Sequence, residues 1–387
     1  MDDRSQLARS GPAASPAALR RPAPLEPPHS PEWVPLPGRR GRGAQSNRSG
    51  RYEHFTSQLE DDGWGNLDAI EPLRTHVTIE NPRQIISRNS SPDLPFDRSI
   101  NSYRGCEHGC SYCFARPTHA YMGLSPGLDF ESRLFAKPNA AALLEKELSK
   151  PGYAPRPLAM GTNTDPYQPI EREYRITRQV LDVLAAFNHP VTIVTKSALV
   201  TRDIDILAPM AEKGLAKVAL SVTTLDARLA RAMEPRASTP ARRMDSLRLL
   251  AAAGIPAAVM VAPIIPALND SEMEKILEGA ARAGAQQAGY VTLRLPLEIK
   301  DLFRDWLEEH VPDRAAHVLS LIRSMHGGKE YDPEWGKRQT GTGPYAWMIG
   351  RRFEIATKRY GLNVAKNKLD CSRFSPPPRA GDQLRLL

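Results

Sequence analysis

Cysteine is scarce in this sequence, with four among 387 residues. No apolar run approaches the length that crosses a bilayer, and the N-terminus lacks the apolar stretch of a secretory leader. Charge of one sign is not in large excess. A net +8 over this length permits a phosphate-bearing partner without requiring one. Together these absences lead us to expect a cytoplasmic protein with no membrane partner, in a compartment where disulfides are rare. There a cluster of cysteines reads as metal or redox chemistry. With 41% hydrophobic and 25% charged residues the composition is that of a globular protein, long enough for one large domain or two ordinary ones.

Composition changes along the chain. Residues 1–65 are rich in Pro, Arg, Gly and Ser, as in "RRPAPLEPPHSPEWVPLPGRRGRG". Such a segment buries too little apolar surface to offset its ordering entropy, so a disordered arm is expected there. Its Arg39, Arg40 and Arg42 either touch nucleic acid or lie in solvent. Residues 95–310 alternate between short apolar stretches and helical patterns. The stretches are "PLAMG", "VTIVT", "KVALSV", "AAVMVA" and "YVTLRL". They are apolar at nearly every position, which marks strands buried on both faces of a parallel sheet. Gly254 and Gly284 sit where helix C-caps belong.

With an opening strand near Ile100–Tyr103 this makes about six βα units. A closed or partly closed (β/α) barrel and a doubly wound sheet both fit. Polar residues just after the strand ends, in "GTNTD", "TKS", "SVTT" and "RLP", favour the barrel, where active sites form at the C-terminal strand ends. Residues 311–387 are expected to form a C-terminal extension. Its stretch 327–353 could close the open side of a barrel, or fold as a cap without touching substrate.

Three of the cysteines, Cys106, Cys110 and Cys113, stand together in "SYRGCEHGCSYCFARP", directly after the first strand. A structural zinc site wants four ligands, and His108 or His119 could supply the fourth. A redox C-x-x-C pair, Cys110 and Cys113, leaves Cys106 without a role. A [4Fe–4S] cluster held by three thiolates leaves one iron open to a cofactor or substrate. Cys371 lies far downstream in a polar segment and reads as a free cysteine.

The run Cys106, Cys110, Tyr112, Cys113 resembles the C-x3-C-x-aromatic-C signature of the radical S-adenosylmethionine (SAM) enzymes. The resemblance implies a partial (β/α)6 TIM-type barrel with the motif after its first strand. It also implies a [4Fe–4S] cluster whose open iron binds SAM, and reductive cleavage of SAM to methionine and a 5′-deoxyadenosyl radical. The stretches "MEPRASTPARRMDSLRLLAAAGIPAAVMVAPII", "TNTDPYQPIE" and "IVTKS" resemble the spore photoproduct lyase-like branch. More narrowly, the chain is similar to an uncharacterised group of bacterial radical SAM proteins carrying "YRGCEHGCxYCFARPTH".

By this resemblance Cys106, Cys110 and Cys113 hold the cluster, and Tyr112 packs near cluster and cofactor. Lys196 and Ser221 contact SAM, and Ala262 makes a backbone contact to adenine. Asp165 or Glu171, near Thr162, Asn163 and Thr164, would take the SAM amino group. A reductant such as flavodoxin or ferredoxin is implied as a partner. One departure stands out: the lyase carries a cysteine hydrogen donor near the end of its second strand, and here Thr and Asn occupy that place. Photoproduct repair would then need another donor, such as Tyr103, Tyr112 or Tyr167. The expectation is a radical SAM enzyme of unassigned substrate. The alternatives are a nucleic-acid repair or modification enzyme related to the lyase, and a non-enzymatic metal- or nucleic-acid-binding protein.

Overall fold

The computed structural model describes residues 41–53, 73–365 and 367–378. All of them belong to a unit spanning residues 36–387; a first unit, residues 1–35, lies outside the described residues. The strands are β1 (His76–Ile79), β2 (Ile86–Arg88), β3 (Arg98–Ile100), β4 (Tyr103–Arg104), β5 (Arg133–Ala136), β6 (Leu158–Met160), β7 (Val191–Thr195), β8 (Ala216–Ser221), β9 (Ala257–Ile264) and β10 (Gln287–Thr292).

Seven strands form the main sheet in the order β10-β9-β8-β7-β6-β3-β2. The neighbours from β3 to β10 are parallel, and β2 is antiparallel to β3. Each crossover therefore lays the next parallel strand beside its predecessor. A doubly wound sheet reverses its order once, at a switch point. No reversal occurs here, so the sheet is a partial barrel with β10 and β2 as its edges. β1, β5 and β4 form a separate three-stranded sheet that the sequence pattern did not indicate.

Local chemistry explains the helix ends. Asp226 accepts from the backbone N–H groups of Arg228 and Leu229 and caps the helix Ala227–Met233. Thr239 caps Pro240–Ala252, with proline in the first turn. Gly254 and Gly284 take φ of +75° and +93°, as their place after helices requires. The last parallel strand begins earlier than its apolar run. It pairs from Gln287 against Ala258, and as an edge strand it is only half-buried over residues 287–291, where polar residues are tolerated.

Two features of the C-terminal part bear on the site. Trp306, on the helix Ile299–His310, is fully buried and donates its indole N–H to the Ala232 carbonyl at 3.0 Å. It packs in one apolar cluster with Cys110, Tyr112 and Ile265. The loop before the helix Gly343–Arg359 ties the two sheet edges together. Thr292 of β10 donates to the Gln339 carbonyl at 2.8 Å, while Arg338 reaches Asp93 at 2.5 Å in the turn between β2 and β3.

The expected arm divides. Residues 1–40 and 54–65 lie outside the described residues, whereas residues 41–53 pack as a strap against the cysteine loop, with Arg42 and Ala44 buried.

Candidate cofactor site at the C-terminal strand ends

The cysteine loop follows β4 at the C-terminal end of β3. Gly105, with φ +73°, opens it; a Cβ there would stand 2.6 Å from Leu134 and 2.7 Å from the Phe130 carbonyl. The Cys106 N–H donates to that same carbonyl at 2.9 Å. Turn bonds run from Gly109 to Cys106 (3.3 Å), from Cys113 to Cys110 (3.2 Å) and from Arg116 to Cys113 (3.1 Å). Cys106 and Cys110 are buried, Cys113 is half-buried, and all three are free thiols.

A buried ion pair holds this loop from behind. Arg116, with no exposed surface, donates to the Cys110 carbonyl (2.9 Å), to the Gly127 carbonyl (2.7 Å) and to Glu131 (3.0 Å). Glu131 also accepts from the strap, from Gly43 N–H at 2.9 Å and Ala44 N–H at 2.8 Å. One carboxylate thus fastens strap and loop together.

In front of the loop lies a second buried carboxylate, Glu234. It accepts from the Tyr112 hydroxyl, from Thr223 at 2.5 Å and from Arg243. Burial alone would raise this carboxyl, but Arg243 and Lys196 outweigh it and hold the group down at about 2. Lys196 stands at the end of β7 with its Nζ 5.7 Å from the Tyr112 ring centroid, and makes no ion pair among the described residues. Ser221 ends β8 and is buried, and its hydroxyl makes no hydrogen bond among the described residues. Ala262, near the end of β9, turns its carbonyl to within 3.3 Å of the Thr223 hydroxyl. The structure thus gathers Tyr112, Lys196, Ser221 and Ala262 at one end of the sheet.

Asp165 and Glu171 are both saturated. Asp165 accepts from Lys196 N–H (2.8 Å), Thr195 (2.7 Å) and Tyr167 N–H (2.8 Å), and His108 Nδ1 stands 3.4 Å away. Burial pushes its carboxyl up, but His108 and these donors win and hold it at about 2. Glu171 accepts from Tyr103, from Arg202 at 2.8 Å and from Thr177 N–H at 3.0 Å, and so acts as a buried clasp on the next helix. Thr164 and Gln168 both bond the Gly105 carbonyl, at 2.7 and 3.2 Å, and brace the loop. Tyr103, Tyr112 and Tyr167 are all buried.

The donor set discriminates between metal centres. His108 Nδ1 stands 3.4 Å from Asp165 and His119 Nε2 lies 2.9 Å from the Arg133 carbonyl, so each ring has one nitrogen already engaged away from a metal. Among the described residues, no three His, Cys, Asp or Glu are arranged to hold a single metal ion. A cubane asks for less convergence, because each thiolate takes its own iron. Burial pushes the Cys106 thiol well up, with Asp165 and the neighbouring cysteines adding to it; Cys110 is pushed to about 12, first by burial and then by Glu234. Iron deprotonates such thiols on binding. Three free thiols on one turn-built loop therefore fit a [4Fe–4S] cluster. Cys371 adds no ligand. Asp370 beside it bonds Gly214, before β8, which puts it at the opposite end of the sheet.

Sequence reasoning missed Glu131, Glu234, Arg243 and the strap. Arg243 carried a signal. With Leu247 and Leu250 it falls at i, i+4 and i+7 on the buried stripe of its helix, where a lone arginine needs a carboxylate.

The description "Radical SAM superfamily" fits residues 100–280 of this chain. An uncharacterized protein of Mycobacterium tuberculosis is 38% identical over 232 residues, which are 59% of this chain and 68% of its own. An uncharacterized protein of Methanocaldococcus jannaschii is 30% identical over 173 residues, 45% of this chain and 62% of its own. Among solved structures, spore photoproduct lyase complexed with dinucleoside spore photoproduct shares the fold, with a TM-score of 0.50 at 15% identity over 74% of this chain and 80% of that one. No helix among the described residues is long and apolar enough to cross a membrane. The chain belongs to the radical SAM superfamily, as an enzyme that works with a [4Fe–4S] cluster, SAM and an external reductant.

Proposed function

We propose that Cys106, Cys110 and Cys113 hold three irons of the cluster, and that Tyr112, Lys196, Ser221 and Ala262 hold SAM against the fourth. The observation that carries this reading is the juxtaposition of three free thiols with an ammonium that makes no ion pair among the described residues. Lys196 is free to pair with the cofactor's carboxylate. The Ser221 hydroxyl is available to that carboxylate or to the ribose, and the Tyr112 ring forms a wall. Ala262 offers backbone at the third neighbouring strand end. When bound and reduced, the cluster supplies the electron that cleaves SAM to methionine and a 5′-deoxyadenosyl radical. Buried Glu234, Arg243 and Trp306 keep water from the back of the pocket.

The test is anaerobic reconstitution. About four irons and four sulfides per chain are expected. Each of Cys106→Ala, Cys110→Ala and Cys113→Ala removes them, and Cys371→Ala leaves them. Stoichiometric zinc in their place, or loss of the cluster in Cys371→Ala, overturns the assignment. With dithionite and SAM the loaded protein is expected to release 5′-deoxyadenosine, and flavodoxin or ferredoxin is expected to replace dithionite as the cytoplasmic electron donor.

A second reading concerns the substrate. Arg172 and Arg175 after β6, and Arg228 and Arg231 after β8, are exposed and make no ion pair among the described residues. They rim the same end of the sheet as the thiols and suit a phosphate backbone. We infer a nucleic acid as the partner, modified or repaired by the radical. The Thr and Asn after β6 argue against a thiol-dependent photoproduct reversal. Binding to DNA or RNA is expected at low salt and falls as salt rises, because phosphate contacts release counterions. No shift in a gel at low ionic strength removes nucleic acid and leaves a protein or small molecule as substrate.

A further inference from the structure

Glu234 and Arg243 form an ion pair with side chains 0% and 1% exposed, and neither belongs to the residues assigned above to cluster or cofactor. Such a pair is weak grounds for stability, since apolar residues of the same volume often serve as well. Its contacts are more specific than stability requires. Glu234 Oε1 accepts from the Tyr112 hydroxyl on the cysteine loop and from Thr223 Oγ1 at 2.5 Å. Thr223 Oγ1 in turn stands 3.3 Å from the Ala262 carbonyl oxygen on β9. Arg243 fills the other carboxylate oxygen and donates to the Ser221 carbonyl on β8 at 2.9 Å and to the Ser238 carbonyl at 2.7 Å. Ser238 N–H donates to the Lys196 carbonyl after β7 at 3.3 Å, and its hydroxyl accepts from Ala198 N–H at 2.8 Å.

From one buried pair, hydrogen bonds thus reach three of the four residues assigned to SAM, and Thr223 sets its hydroxyl oxygen against the carbonyl of the fourth, Ala262, each on a different element. Three of those four contacts go to backbone carbonyls or through one bridging residue. They fix where the strand ends stand rather than the side chains that meet the ligand. The ammonium of Lys196, whose backbone this network holds, lies over the ring of Tyr112, whose hydroxyl it also holds.

We propose that the Glu234–Arg243 pair is the positioning device of the cofactor pocket: it aligns the cysteine loop with the ends of β7, β8 and β9, and so sets how tightly SAM is held without setting whether the cluster forms. This rests on the assignment of SAM to that pocket. The cluster loop has a separate anchor, Arg116 with Glu131, so the two functions come apart by mutation.

The experiment uses the cluster-loaded full chain under anaerobic conditions. Iron content is measured together with SAM affinity by calorimetry, and with the change that SAM makes in the electron paramagnetic resonance spectrum of the reduced cluster. The charge-balanced double variant Glu234→Leu/Arg243→Met leaves no unpaired buried charge. It is expected to keep its iron, to bind SAM at least about tenfold more weakly, and to lose or broaden the SAM-induced spectral change. That corresponds to about 1.4 kcal/mol. Thr223→Val, which takes the Thr223 hydroxyl away from both Glu234 and Ala262 but leaves the Glu234–Arg243 pair in place, is expected to weaken SAM binding by about threefold to tenfold, and it carries the test alone if the double variant does not fold. Wild-type affinity and spectrum in Thr223→Val, or in a folded double variant, overturn the inference. So does loss of iron from the double variant, which would make the pair an anchor of the loop. Failure of the wild-type chain to bind SAM would instead overturn the underlying assignment, so the two failures are distinguishable.

Discussion

Gly43 has no room for a side chain, because a Cβ there would run into the Gly109 carbonyl between Cys106 and Cys110. In Gly43→Ala the strap or the cysteine loop must move. Overpacking of this kind costs about 1–3 kcal/mol. A lower melting temperature is expected, together with faster loss of iron to a chelator; iron release at the wild-type rate would mean the strap does not restrain the loop. Glu131→Gln goes further. It strips Arg116 of its charge partner and turns an amide NH2 toward donors that need an acceptor. Breaking a buried pair from one side costs about 3–5 kcal/mol, so this variant is expected to reconstitute poorly even at low temperature. In front of the loop, Lys196→Ala is expected to leave the iron in place. A charge-assisted hydrogen bond is worth roughly 1.5–3 kcal/mol, so calorimetry is expected to read a loss in SAM affinity of about tenfold to a hundredfold. Unchanged affinity would mean that the cofactor carboxylate pairs elsewhere.

At the scale of elements, acid acts on two buried histidines, one at the end of the sheet away from the thiols and one beside the cysteine loop. His189, just before β7, is buried between Tyr153 and Phe374, at ring distances of 5.8 and 5.6 Å. Its Nδ1 lies 3.1 Å from the Pro190 carbonyl and its Nε2 2.9 Å from the Tyr153 hydroxyl. Burial holds the ring down at about 4, against the Pro190 bond that favours the charged form. His119 is held at about 4 in the same way. An unfolded histidine titrates near 6.5, so between about 6.5 and 4 the unfolded chain binds protons that the folded chain refuses. Stability is then full above the upper limit and is lost as pH falls through this window. The urea midpoint is expected to drop between pH 7 and pH 4.5, and less so in His189→Gln. An equal drop in that variant would place the acid sensitivity elsewhere.

The elements most legible in the sequence were those with local causes. "VTIVT" became β7 residue for residue because an apolar run between turn signals needs no other information. Gly254 and Gly284 took their positive φ because only a helix end asks for it. β10 began earlier than expected because an edge strand that stays half-buried over residues 287–291 needs no continuous apolar run. β1 and β4, four and two residues long, are too short to carry a period, and they exist only because β5 lies between them. In the site, the cysteines were legible from spacing. Glu131 and Gly43 were not, because their partnership spans 88 residues of chain and rests on one hydrogen bond geometry that no local pattern encodes.

For the whole molecule, the open side of the barrel is the feature with most leverage. β10 and β2 do not pair, and the loop through Arg338 and Gln339 spans between their surroundings. Arg338 holds Asp93 and Ser91, both at 2.5 Å, and Gly336 N–H donates to Asp93 at 2.7 Å. Arg338→Ala is expected to raise hydrogen exchange in residues 327–342 and in 89–97 together while the iron content stays unchanged. A rise in only one of the two segments would show that they are not coupled through this contact. The far end of the sheet offers something different. Cys371 is half-buried beside the start of β8, on the order of 20 Å from the other thiols by the length of a strand of this size. Once those three are occupied by iron, it is the one sulfhydryl left to a maleimide. A nitroxide placed there would sit within dipolar range of the paramagnetic reduced cluster. The enzyme therefore carries a built-in spectroscopic ruler, able to register any movement of the cysteine loop when a substrate arrives.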